Sequence, residues 1–189
     1  QFSLPGFDPA PKQRRLAHTL FFALLPRAGA LPHIEHIAQA LRQQHGLTGK
    51  PIRADRLHVT LHSLGGFDDA VPQGLVDAAS AVASELVFPR FEVMFDKALS
   101  FPGSGAFVLR GDDAAPISAF RNALGGALAR AGLPARPSNT AHMTLAYDDR
   151  LIPEHGIEPV RWIAEDFVLI DSHVGQTVHR HLGRWPLRA

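Results

Sequence analysis

Two short apolar runs, one in each half of the chain, share a pattern: Leu57-His58-Val59-Thr60-Leu61 and Ala141-His142-Met143-Thr144-Leu145. In extended backbone, side chains two apart share a face, so each run presents an imidazole and a hydroxyl on one side and apolar groups on the other. That pattern fits a strand with one face packed and one face open. Two such strands, drawn from distant parts of the chain, place two His-Thr pairs around one small anion.

Two imidazoles near their ordinary pKa of about 6.5 divide acid and base duties at neutral pH. Two threonine hydroxyls donate hydrogen bonds to anionic oxygens, which suits a phosphate better than a neutral amide. The constellation reads as metal-free chemistry at phosphorus. A single His-x-Thr is ordinary strand sequence, and His18-Thr19-Leu20 and Thr177-Val178-His179 pair the same residue types without the order and spacing. The information lies in the repetition.

The paired His-Val-Thr-Leu and His-Met-Thr-Leu motifs resemble the signature of the 2H phosphoesterase superfamily, in particular the bacterial RNA 2',3'-cyclic phosphodiesterases also called 2'-5' RNA ligases. Weaker matches are the Leu20–Pro26 run, the Arg56-Leu57 approach and Leu64-Gly65-Gly66-Phe67, so the likeness spans about Leu16 to Trp185. The resemblance implies a two-lobed fold with one motif from each lobe. It also implies His58 and His142 as catalytic residues, with Thr60 and Thr144 holding phosphate oxygens. The implied substrate is an RNA end carrying a 2',3'-cyclic phosphate, opened to a 2'-phosphate by His142 as base and His58 as acid. These roles exchange when the reaction runs backwards as 2'-5' ligation.

A chain of 189 residues holds one sizeable core or two small lobes, and 46% hydrophobic with 20% charged residues is an ordinary globular composition. A formal net charge of +1 provides no global basic field for gripping long duplexes. The absence of cysteine excludes disulfides, thiolate catalysis and Cys-based zinc sites. No apolar run approaches the roughly 18 residues that cross a bilayer, and the first residues do not resemble a secretory signal. The expectation is a cytoplasmic monomer with no cofactor, no metal and no membrane partner, acting on RNA ends or small nucleotides with a cyclic phosphate.

Proline and glycine among residues 1–15 suggest an irregular arm, followed by one domain over 16–189. Leu16–Leu25 reads as a buried strand. Helical spacing marks 31–45, 75–86 and 116–131, with Gly46 and Gly132 as stops. Strand-like runs fall at 91–95, 106–110, 158–162, 166–172 and 177–185. This order predicts an α+β protein with mainly antiparallel sheets, outer helices and a central cleft, its two halves related by a pseudo-twofold.

Three further residues are candidates for substrate contact. His62 continues the parity of His58 and Thr60 and would face the cleft, where it contacts substrate, joins His58 and His142 around a metal, or is structural. Against a metal, no Asp or Glu occupies the inward positions of either motif. Tyr147 stands where many members of the family have an arginine that binds phosphate. Its ring would stack on a base or cap a strand end, and Phe22 would also stack on a base if it is not core. The competing functions are a phosphodiesterase for a small cyclic nucleotide or other cyclic phosphate, and a noncatalytic RNA-end binder. The basic loop Lys50, Arg53 and Arg56 favours an RNA end.

Overall fold

The computed structural model describes residues 16–111, 115–137 and 140–188, so the arm expected at residues 1–15 lies outside the described residues. Its elements in chain order are β1 (His18–Leu24), α1 (Leu31–His45), a 3-10 turn (Ala54–Arg56), β2 (Val59–Phe67), α2 (Gln73–Glu85), β3 (Phe91–Phe101) and β4 (Ala106–Arg110). There follow α3 (Ala115–Arg130), β5 (Arg136–Pro137), β6 (His142–Tyr147), β7 (His155–Ala164), β8 (Asp166–His173) and β9 (Val178–Pro186).

Local chemistry accounts for these boundaries. Helix α1 has a proline in its first turn, where a missing N–H costs nothing, and ends at Gly46, whose φ of 61° supplies the left-handed residue that closes a helix. Its Ile34, Ile37 and Leu41 form the buried stripe. β1 is apolar on both faces because both are covered. Leu20, Phe22 and Leu24 enter the main core, whereas Phe21 and Ala23 join Val168 and Ile170 on the opposite face.

The described strands form one antiparallel sheet in the order β7-β3-β4-β6-β2-β1-β8-β9, with the short β5 paired to β2. Two quartets are visible in that order, β9-β8-β1-β2 and β6-β4-β3-β7. In each, the antiparallel strand pair at the end that meets the other quartet is joined by a helix: β1-α1-β2 in one and β4-α3-β6 in the other. The three helices bury Ile34 and Leu41, Ala79 and Ala83, and Phe120 and Leu124 in a single core on one face of the sheet. This is the expected α+β, two-lobed, pseudo-twofold architecture.

The quartets meet at one bridge, Val59 opposite Met143. Past it the two strands part, and each open edge is taken by the segment leading into the other motif. Arg136 and Pro137 pair with Ser63 and His62. On the other side Pro51 bridges Ala146, and the Ile52 N–H donates to the Leu145 carbonyl at 2.8 Å. Proline is tolerated at both crossings because neither is a central ladder position.

Candidate active site

The bridge sets the site. Because β2 and β6 run antiparallel through Val59 and Met143, the neighbouring positions bring His58 opposite Thr144 and Thr60 opposite His142. Val59 and Met143 are fully buried, so the alternation that sinks them into the core turns both His-Thr pairs to the other face. One His-Thr pair comes from each lobe.

Both rings are held alike. His58 Nδ1 donates to the Arg56 carbonyl at 2.7 Å, and His142 Nδ1 donates to the Thr140 carbonyl at 2.7 Å. A carbonyl only accepts, so each bond fixes the proton on Nδ1 and leaves Nε2 as the atom that gains or loses a proton. Each imidazole also leans on a phenylalanine: Phe21 lies 5.2 Å from His58 and Phe101 lies 4.9 Å from His142, between ring centroids.

The leucine that ends each motif is where the parity changes. Thr60 pairs with Ala23 but His62 pairs with Phe22, so Leu61 is an extra residue in β2. Likewise Thr144 pairs with Val108 but Ala146 pairs with Phe107, so Leu145 is an extra residue in β6. Both are β-bulges, which turn the following side chain over to the face it would otherwise avoid.

The bulge corrects the reading of His62. Its side chain is buried on the helix side, where Nε2 donates to the Arg121 carbonyl of α3 at 2.7 Å. His62 therefore does not converge with His58 and His142. Phe22 is also corrected: it is fully buried among Phe167 and Trp185, because core and cleft residues alternate along β1. Its neighbour Phe21 holds the place at the site. Tyr147 is 54% exposed and, through its pairing with Ala106, shares a face with Phe101. With Thr48, Gly49 and Leu151 it lines an open cavity of about 450 Å³.

Electrostatics distinguish the two lobes. Burial pushes the His58 imidazole below its usual 6.5; the Arg56 carbonyl bond opposes this, and the Arg56 guanidinium and His142 add to the depression. His179 of β9 packs edge-on to His58 at 5.1 Å, and its Nε2 accepts from Arg56 Nη2 at 3.2 Å. Burial first, then His58, Arg56 and His181, lower it to about 4, with Asp55 opposing, so His179 is neutral near pH 7. In the other lobe, register sets Arg110 opposite His142 and Lys97 opposite Arg110, with Glu154 bridging the two cations at 3.1 and 3.4 Å. Of the cations expected in the basic loop, Arg53 is held by two bonds to Asp55.

A family model, that of the 2'-5' RNA ligase superfamily, matches residues 30–176. The chain belongs to the 2'-5' RNA ligase superfamily. Solved structures with the same fold include E. coli LigT in apo form, 28% identical, with 93% of this chain and 100% of that one covered and a TM-score of 0.72. E. coli LigT complexed with 3'-AMP is 27% identical over 91% and 99% of the two chains, also at 0.72. TT0787 of Thermus thermophilus, at 20% identity, 90% and 98% coverage and a TM-score of 0.71, bears on the fold alone. No curated protein matches the chain.

Membership in the 2'-5' RNA ligase superfamily carries phosphoesterase and ligase chemistry of the cyclic phosphodiester type. Around the two motifs of this superfamily member, sequence reasoning missed three side chains. Phe21 was hidden by the continuous apolar run of β1, His179 by its distance in sequence, and Arg110 because only strand pairing sets it beside His142. Among the described residues no helix is long and apolar enough to cross a membrane. The one close-set group of three metal-ligand side chains among them is His18, Asp171 and His173, on the helix side of β1 and β8.

Proposed function

We propose that this protein is a metal-independent cyclic phosphodiesterase that opens 2',3'-cyclic phosphate at RNA ends to a 2'-phosphate, with 2'-5' ligation as the reverse reaction. The observation that carries it is the bridge at Val59 and Met143, which sets a His-Thr pair from each lobe on one face of the sheet. In the forward direction His142 Nε2 takes a proton from water as the water oxygen bonds to phosphorus. The bond from phosphorus to the 3' oxygen breaks, and His58 Nε2 delivers a proton to that oxygen. Thr60 and Thr144 donate to the nonbridging oxygens, where negative charge grows. An anion in the cleft also raises the depressed pKa of His58, so that substrate itself promotes the protonated state the acid needs.

E. coli LigT has been solved complexed with 3'-AMP and with ATP, which supports a nucleotide as the class of ligand. Tyr147 and Phe101, on the face of His142, provide rings for a base to stack on. One observation favours a small cyclic nucleotide instead: Arg53 is engaged by Asp55, which weakens the basic track for an RNA strand. A noncatalytic binder is disfavoured because binding alone needs no second titrating imidazole.

The test is a panel of oligonucleotides and mononucleotides ending in 2',3'-cyclic phosphate, incubated in excess EDTA, with 2'- and 3'-phosphate products resolved. Turnover of oligonucleotides to 2'-phosphates is expected. Turnover of mononucleotides alone would move the assignment to the small substrate, and no turnover of either would remove it.

A further inference from the structure

We propose that His18, Asp171 and His173 form a binding site for one divalent transition-metal ion of the zinc class, with a structural effect, independent of the phosphodiester chemistry. His18 and His173 sit directly opposite each other on β1 and β8, and Asp171, two residues before His173, points to the same side. That side is the helix face, since His18 shares the parity of Leu20 and Phe22. His58 lies by the Leu24 end of β1 on the other face, about 20 Å along the strand at roughly 3.3 Å per residue.

The ligating atoms of the three side chains all lie within 4.8 Å of one another. His18 Nδ1 is 2.8 Å from Asp171 Oδ1, His173 Nε2 is 3.3 Å from Asp171 Oδ2, and the two rings are 4.6 Å apart. A zinc ion with bonds of about 2.0 Å to tetrahedral ligands needs donor atoms about 3.3 Å apart. Strand register already sets the backbone, and the two contacts to Asp171, 2.8 and 3.3 Å, lie within about 0.5 Å of that spacing.

Two features of the cluster favour a cation. Asp171 is 6% exposed, and its ion-pair contacts among the described residues are to His18 and His173 alone, with no such contact from Arg180, which lies opposite it on β9. His173 Nε2 is buried and, although at ion-pair distance from Asp171, makes no aligned hydrogen bond there or to any described residue. A metal ion answers both: it takes the lone pair of His173 Nε2 and compensates the carboxylate.

Two imidazole nitrogens and one carboxylate oxygen suit zinc, cobalt or nickel, whereas magnesium and calcium prefer all-oxygen shells. The side chains of His18 and His173 retain 20% and 26% exposure, which leaves an approach for the ion and a place for water as fourth ligand. The ion would tie β1 to β8, the pair that carries Phe21 and Ile170 on its other face.

The full chain, stripped with chelator, is titrated with Zn²⁺ by calorimetry and with Co²⁺ by visible absorption, and melted with and without Zn²⁺. One equivalent is expected to bind with a micromolar or tighter Kd, raise Tm and produce cobalt d–d bands. His173→Gln and His18→Gln should each weaken binding at least tenfold and abolish the rise in Tm, with folding checked by circular dichroism. His179→Gln, which alters the other group of imidazoles, should bind as the wild type does. Absence of a stoichiometric site, binding unchanged in both His173→Gln and His18→Gln, or binding lost in His179→Gln would each overturn the proposal and leave a hydrogen-bonded His-Asp-His cluster.

Discussion

At the scale of single residues, the two histidines differ in surroundings despite matching tethers. Each holds a proton on Nδ1 through a carbonyl two residues back, so removal of either ring deletes one proton-transfer step. His58→Ala and His142→Ala should each lower kcat for a 2',3'-cyclic nucleotide by about 10²–10⁴-fold, with folding intact. Thr60→Ala and Thr144→Ala should each cost about 10²-fold, the scale of a lost oxyanion donor. Steady-state rates with the four variants check this, and full activity in either histidine variant contradicts the assignment. His58 carries a second prediction. Burial, Arg56 and His142 hold its pKa below 6.5 in the free protein, and phosphate in the cleft favours the imidazolium. An NMR titration should therefore place the His58 midpoint below pH 6.5 in free protein and higher with a 2'-phosphate product bound. Equal midpoints would separate His58 from the phosphate site.

At the scale of elements, β2 and α3 are fitted to each other through His62 and a glycine. A Cβ at Gly125 would meet the His62 ring at 2.7 Å from Cε1, so the backbone of α3 approaches this strand only because the position has no side chain. Gly125→Ala gains about 1 kcal/mol in helix propensity but overpacks a buried ring at about 1–3 kcal/mol. Net destabilisation of up to about 2 kcal/mol is expected in urea unfolding, and His62→Ala should offset part of it in a double-mutant cycle. The same contact explains what sequence could and could not disclose. The pairing of Gly125 with Gly126 weakens a helix by propensity, yet the helix forms because the close approach needs one of them. Periodicity located α1, α2 and α3 and the two motif strands, since these patterns follow from one-sided burial. The bulges at Leu61 and Leu145 are set by pairing with β1 and β4, which no local pattern encodes, so parity carried His62 to the wrong face; Phe21 went unrecognised because β1 is apolar on both faces.

At the scale of the whole molecule, the near-neutral charge conceals a set of imidazoles that resist protonation. Among the described residues His45, His58, His62, His179 and His181 are all depressed, each with burial as the leading cause. For His179, at about 4 in the folded chain and 6.5 when unfolded, the unfolded state binds more protons throughout that interval. Unfolding free energy therefore rises with pH across it, and stability is lost as pH falls from 6.5 towards 4. At about 1.36 kcal/mol per unit the full interval would be worth about 3.4 kcal/mol, which solvent screening of a partly exposed ring reduces to about 1–2 kcal/mol. Asp148 acts in a separate window. Its carboxylate is held below 3.8 by the N–H groups of Arg150, Gly49 and Thr48, so its contribution is present above 3.8 and disappears in stronger acid. Urea unfolding at pH 7.0, 5.5 and 4.5 should show a falling free energy through the imidazole window, and His179→Gln should flatten that slope by the contribution of one ring. A wild-type stability that is level from pH 6.5 to 4.5, or a slope untouched by His179→Gln, would mean that these rings are protonated in the folded state and that the cleft is wetter than their packing against Phe21 and Arg56 implies.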